Sequence, residues 1–328
     1  MKFPIGIQSF EQIIEDGYVY VDKTDIIYDL THNGSVYFLS RPRRFGKSLL
    51  VSTLENYFLG HKELFRGLAI EKMETEWNEY PVFHIDFNAT NFTNSGELEK
   101  KLNFYLAEWE QKYNLPVRAN ELGLGDRFIK ILEAAHLQTG RRAVVLVDEY
   151  DKPILDVLDV DTNLEDRHRN VLKAFYSVFK GADKHLQFVL LTGVTKFSQV
   201  SVFSGFNQPK DISMDVRYEA LCGITQEEIG IYFTEPVSQM AVEYQCTPEE
   251  MYKLLKKQYD GYHFSDKLTD IYNPFSLLNA LDAKRIKDYW FSTGTPTYLI
   301  RLLNHSHERM NEFTGKYYTP AEFIDYKA

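Results

Sequence analysis

Short β-rich apolar runs alternate along the chain with longer stretches whose apolar positions recur at helical spacing. Near the start, Ser9 stands where it would cap a helix over residues 10–15, and Gly17 ends that helix. Tyr18-Val19-Tyr20-Val21 reads as a strand. Asp22-Lys23-Thr24 then opens a second helix that runs to Leu30. Beyond it the pattern predicts strands over 36–40, 82–87, 143–147 and 186–192, and helices over 48–59, 95–113, 125–138 and 168–179. The run Ala143-Val144-Val145-Leu146-Val147 has no polar position, as expected of a strand covered on both faces. Strands alternating with helices predict an α/β fold, a parallel sheet flanked by helices.

The pattern changes after about residue 215. Helices are predicted over 225–240, 247–258 and 274–285. Thr225 with Glu228 three residues on forms a capping box. The chain therefore divides into an α/β core with an N-terminal extension, 1–215, and a smaller, mostly helical domain with the start of a C-terminal segment, 216–328.

Composition adjusts this picture only slightly. With 328 residues, 44% of them hydrophobic, the chain can bury a sizeable core, and its 22 Tyr and 23 Phe are packing material first. A net charge of −10 argues against broad, nonspecific binding to nucleic acid. Cys222 and Cys246 sit in no metal-binding spacing and read as small buried thiols of a reducing compartment. No apolar run approaches the length of a membrane span, and the first residues lack the apolar region of a signal peptide. The expectation is a cytoplasmic protein with no membrane partner.

The richest segment for chemistry is Ser40-Arg41-Pro42-Arg43-Arg44-Phe45-Gly46-Lys47-Ser48. Gly46-Lys47-Ser48 completes the phosphate-loop pattern GxxxxGK[ST], although Arg41 stands where its first glycine belongs. A basic surface loop can contain Gly-Lys-Ser by chance, but here a strand precedes it and a helix follows. In that setting the backbone amides of a helix N-terminus face phosphate oxygens. Arg43, Arg44, Phe45, Gly46, Lys47, Ser48 and Leu49 are the candidate nucleotide-binding residues. Lys47 would bridge the β- and γ-phosphates, and Ser48 would hold Mg²⁺. Arg41, Arg43 and Arg44 would add positive charge beside the site.

The apolar strand at 143–147 ends in Asp148-Glu149, the matching acidic pattern. Asp148 is the second candidate metal ligand. Glu149 is the candidate residue that orients and polarises water, as in ATPases with an extra strand between the two motifs. The interval from Lys47 to Asp148 leaves room for the strand at 82–87. The next strand ends in Thr192-Gly193-Val194-Thr195-Lys196, which makes Thr192, Thr195 and Lys196 candidates for contact with the γ-phosphate or attacking water. Arg217, Arg41, Arg43 and Arg44 are the candidate arginine fingers. No HxH, HExxH or GxSxG arrangement appears, and no NKxD sequence that would read guanine, so ATP is favoured.

These segments, together with Pro4-Ile5-Gly6, Tyr20-Val21-Asp22-Lys23-Thr24, Asp148-Glu149-Tyr150-Asp151, Thr192 to Ser198, Tyr259-Asp260-Gly261-Tyr262, Tyr272-Asn273-Pro274, Tyr289-Trp290 and Thr293-Gly294-Thr295, resemble the bacterial AAA-ATPase-like family of predicted P-loop ATPases. The resemblance covers most of the chain, and the Arg41 departure is similar to the family's own form of the motif. It implies an ASCE-type P-loop core with a helical lid, ATP and Mg²⁺ as cofactors, and the roles given above to Lys47, Ser48, Asp148 and Glu149. Many members carry a further C-terminal domain similar to PD-(D/E)xK nucleases. No Asp…Glu-x-Lys strand stands in this chain, which stops at Ala328, so nuclease activity is not carried over.

Three functions follow as expectations. The first is an ATPase that couples nucleotide state to movement of a lid or partner. The second is a nucleotide-binding interaction module with little hydrolysis. The third is a DNA-processing ATPase, which the acidic balance counts against. The partners expected are the nucleotide and either a protein or further copies of the chain. Asp22 to Thr24 are expected near the base. All of this requires the turn before the Ser48 helix to lie beside the carboxylates of the acidic strand.

Overall fold

The computed structural model describes residues 1–117, 121–195 and 209–289. Five strands form one sheet: β1 Val36–Ser40, β2 Val82–Asp86, β3 Ala143–Asp148, β4 Leu186–Gly193 and β5 Lys210–Asp211. Every pairing in it is parallel, in the order β2-β3-β4-β1-β5. The parallel α/β sheet expected from the alternation of elements is present.

Successive side chains of a strand point to opposite faces, and this period of two divides the sheet between two cores. Val145 and Val147 of β3 join Phe83, Ile85, Val189 and Leu191 in one core. Helices α4 Glu97–Lys112, α5 Leu124–Thr139, α7 Thr162–Tyr176 and α8 Val178–Gly181 cover that face. Val144 and Leu146 face the other way, with Tyr37, Leu39, Phe188 and Leu190. There they meet α1 Phe10–Glu15, α2 Thr24–His32 and α3 Lys47–Phe58. All six residues of β3 are buried, as its apolar run requires.

The strand expected at 82–87 is present as β2, between the two motifs along the chain. β2 lies at the sheet edge beyond β3, and β4 separates the phosphate-loop strand β1 from the acidic strand β3. Tyr18 to Val21, expected as a strand, form none. Among the described residues they ladder with no strand: the Val19 amide reaches the Lys2 carbonyl at 2.9 Å, while Tyr20 and Val21 turn to the hydrophobic cores.

After β6 Ile224–Thr225 come α9 Gln226–Tyr232, α10 Thr234–Glu243, α11 Pro248–Tyr259, β7 Ile271–Tyr272 and α12 Pro274–Ala283. Between β3 and α7 runs one further short helix, α6 Lys152–Leu155. The single helix predicted over 225–240 is two, because Pro236 has no amide to give the Tyr232 carbonyl, and the chain breaks at Phe233. The capping box at its start is present, with the Thr225 hydroxyl accepting from the Glu228 amide at 3.2 Å. The helix predicted to begin at 168 begins at Thr162 instead, where the Asp161 carboxylate caps it. The polar stretch Thr162 to Arg167 hid that first turn. These later helices share a third core, which also takes in Phe3, Ile5, Val19 and Val21 from the N-terminal segment.

Candidate functional site

β1 delivers the chain to the phosphate-loop sequence at the carboxyl edge of the sheet, where open α/β sheets place ligands. Arg44 takes φ 67° and Gly46 φ 92°, so the chain turns sharply before α3 begins at Lys47. Gly46 occupies this left-handed region without steric cost, whereas Arg44 is held there under strain. The turn thus brings the free amides of a helix N-terminus to the sheet edge.

The acidic strand ends at the same place. The Ser48 hydroxyl donates to Asp148 Oδ2 at 2.5 Å, and the Thr192 hydroxyl donates to Asp148 Oδ1 at 2.5 Å. The Asn88 amide reaches Asp148 Oδ2 at 3.2 Å. Three elements, α3, β4 and the loop after β2, therefore meet on one buried carboxylate. Glu149 follows with φ 53°, its amide 3.4 Å from the Thr192 hydroxyl. Burial pushes its carboxyl above the ordinary range and Asp148 and Asp151 add to this, while Lys47 and Arg43 pull the other way.

Lys47 is 4% exposed and donates to the carbonyls of its own loop, Arg41 at 3.1 Å and Pro42 at 3.3 Å. Arg43 and Arg44 are exposed, and Leu49 is half-buried. Phe45 contributes only backbone to the loop. Its ring is fully buried against Tyr262 and Phe264, with centroids 4.6 and 5.5 Å away. Lys196 lies outside the described residues.

Arg41 holds its charge inside the fold and not at the surface. Its guanidinium is 1% exposed and donates to the carbonyls of Ser40, Ser213 and Tyr218 at 2.9, 2.8 and 3.1 Å. The Phe264 ring lies 4.0 Å from it. Burial lowers its pKa to about 10. The guanidinium of the residue that replaces the loop's first glycine is thus held by carbonyls of its own chain. Replacing it with the glycine of the common motif, Arg41→Gly, is expected to destabilise the fold by about 2–3 kcal/mol, because two buried carbonyls lose their donor. Urea unfolding checks this, and a variant as stable as the parent would contradict it. Arg217 is exposed and paired with Asp215, its Nε 2.9 Å from Oδ1.

Thr195, also a candidate for the nucleotide, gives its hydroxyl to Asp151 at 2.8 Å instead. Of the residues expected near the base, Lys23 lines a cavity of about 100 Å³ beside Gly46 and Leu49, with Tyr20, Val21 and Gly223. Asp22 is spent on structure, accepting from the Thr24 amide at 2.9 Å and the Ala69 amide at 2.7 Å. Two residues at the site were given no role by the sequence. Asn88 arrives because β2 pairs with β3 in register, Asp86 opposite Asp148. Asp151 lies just past the acidic pair and turns towards the end of β4.

Among the described residues no group of three or more His, Cys, Asp and Glu side chains could hold a metal by itself. Mg²⁺ is commonly bound through one or two carboxylates together with substrate phosphates and water. Ser48 and Asp148 are a suitable protein half of such a site. No helix among the described residues is long and apolar enough to cross a membrane.

A family model described as predicted AAA-ATPase matches residues 4–203. A curated relative from Azotobacter chroococcum mcd 1, described as an uncharacterized protein in the vnfD 5' region, is 41% identical over 306 residues. The alignment takes in 92% of this chain and 56% of the relative, so the chain spans little more than half of that protein's length.

Proposed function

The chain belongs to the predicted AAA-ATPase family, and we propose that it binds ATP with Mg²⁺ and hydrolyses the β–γ phosphoanhydride. The observation that carries this reading is the 2.5 Å contact of Ser48 with Asp148, which joins the start of the phosphate-loop helix to the end of the acidic strand. In the proposed complex the amides from Arg43 to Ser48 surround the phosphates. Lys47 exchanges its two loop carbonyls for phosphate oxygens, and Ser48 with Asp148 holds the metal. Mg²⁺ bound there would neutralise charge building on the phosphate oxygens. Glu149 accepts a proton from the attacking water, and Thr192 keeps Asp148 and the Glu149 backbone oriented.

The small, mostly apolar cavity beside Gly46 supports placing the base there, against Tyr20 and Val21. Absence of an NKxD sequence supports adenine over guanine. We assign 1–215 as the ATPase core and the chain from 216 as its lid. Several contacts support coupling between them. The Gly223 amide donates to the Phe45 carbonyl at 3.1 Å, Phe45 packs on Tyr262 and Phe264, and Arg44 lies 5.1 Å from the Phe275 ring. A change in the phosphate loop would thus reach the helical part through direct packing. Phosphate release and thermal shift with ATP, ADP and GTP, each with Mg²⁺, test the proposal. Turnover of ATP in preference to GTP is expected. Binding of ATP or ADP with no turnover would favour an interaction module.

A further inference from the structure

We propose that Asp151 is a positioning residue for hydrolysis, acting through the turn that follows β4 and never touching the nucleotide; this rests on the ATPase reading above.

Asp151 immediately precedes α6, a place where an aspartate ordinarily caps the helix by accepting one of its first amides. It makes no such bond. Its side chain turns to the neighbouring strand instead, where Oδ2 accepts from the Val194 amide at 3.0 Å, the Thr195 amide at 2.7 Å and the Thr195 hydroxyl at 2.8 Å. The carboxylate is fully buried, and its other oxygen, Oδ1, has no hydrogen-bond partner. A buried acceptor left unpaired is costly and calls for a reason beyond local packing. Burial pushes the Asp151 carboxyl above the ordinary range, while the bonds from Thr195 and the charge of Lys47 pull the other way.

The turn at Gly193 to Thr195 is gripped from both sides. From the phosphate-loop side, the Arg41 amide donates to the Gly193 carbonyl at 3.1 Å and the Ser40 hydroxyl to the Val194 carbonyl at 3.0 Å. From the acidic side, the Tyr150 amide donates to the Thr192 carbonyl at 2.9 Å and the Tyr150 hydroxyl to the Thr195 carbonyl at 3.0 Å. Asp151 accepts three more bonds. No side chain fits at Gly193, where a Cβ would lie 2.4 Å from the Tyr150 ring and 2.9 Å from Asp151 Oδ1. Immediately before this turn, in β4, stands Thr192, whose hydroxyl donates to Asp148 Oδ1 and faces the Glu149 amide. Asp151 therefore sets the turn, the turn sets Thr192, and Thr192 sets both acidic residues.

Asp151→Asn keeps the shape and one acceptor but sets an amide nitrogen where a carboxyl oxygen stood. A displacement of about 1 Å in a catalytic group can cost as much as a hundredfold in rate. We expect kcat to fall by roughly 10–100-fold, KM for ATP and affinity for ADP to stay near the parent values, and the Val194 and Thr195 amides to exchange hydrogen faster. Thr195→Val, which removes only the hydroxyl bond, should give a smaller loss of kcat with the same unchanged KM, and it serves if the Asp151 variant does not fold. Ile131→Val, a mild truncation in the core on one sheet face, controls for stability and should leave kcat alone. Parental kcat in Asp151→Asn, or loss of kcat and nucleotide affinity together, overturns the proposal while leaving the ATPase reading intact. A parent protein with no turnover overturns both.

Discussion

Replacing Lys47 with alanine is expected to remove ATP binding at concentrations that saturate the parent. The side chain is buried and points its ammonium group at the carbonyls of Arg41 and Pro42, so it waits inside the loop that would hold the phosphates. Each charge-assisted bond of this kind is worth about 1.5–3 kcal/mol, so losing two weakens binding by at least ~100-fold. The fold should survive, because the two carbonyls lie at the loop and Gly46 still caps α3 with its carbonyl 3.0 Å from the Leu50 amide. Calorimetric titration of ATP and ADP into the folded variant checks this. Equal affinity in parent and variant would remove the phosphate-loop reading altogether.

The second large effect is expected at Glu149. Glu149→Gln should bind ATP as the parent does but release phosphate about 10²–10³-fold more slowly. Glutamine keeps the size and the backbone demands of a residue held at φ 53°, so the change is confined to the ionisable group. Burial raises the carboxyl of Glu149, and a more basic carboxylate is the better proton acceptor. Single-turnover phosphate release after binding is complete separates the two steps. Normal hydrolysis by the variant would take the role from Glu149 without disturbing the binding site.

The regular part of the fold is legible in the residue pattern, because the pattern and the structure obey one constraint. A strand buried on both faces can have no polar position, and residues 143–147 have none. The order of strands is not legible. Nothing in Val82 to Asp86 says that it pairs with β3 at the edge, nor that β4 inserts between β1 and β3, since those pairings depend on contacts far apart in the chain. Backbone breaks were legible in principle: Pro236 marks the split between α9 and α10.

At the site, the residues that carry standard spacing, Lys47, Ser48, Asp148 and Thr192, are brought together, as their order along the chain implied. Arg41 shows the limit of reading charge from sequence. An arginine in a basic loop looks like a phosphate ligand, yet three carbonyls and the Phe264 ring, all but one contributed from far along the chain, claim it. Asn88 and Asp151 could not be assigned from spacing at all, since each meets its partners only after the sheet forms.

The central claim is that Ser48 and Asp148 share one magnesium ion with the bound triphosphate. A double-mutant cycle tests it most directly, with ATP affinity measured in Mg²⁺ and again in EDTA for the parent, Ser48→Ala, Asp148→Asn and the double variant. If both residues act on the same ion, Mg²⁺ strengthens binding in the parent, each single change removes most of that gain, and the double change removes little more. Binding that is indifferent to Mg²⁺, or losses that simply add, would contradict it.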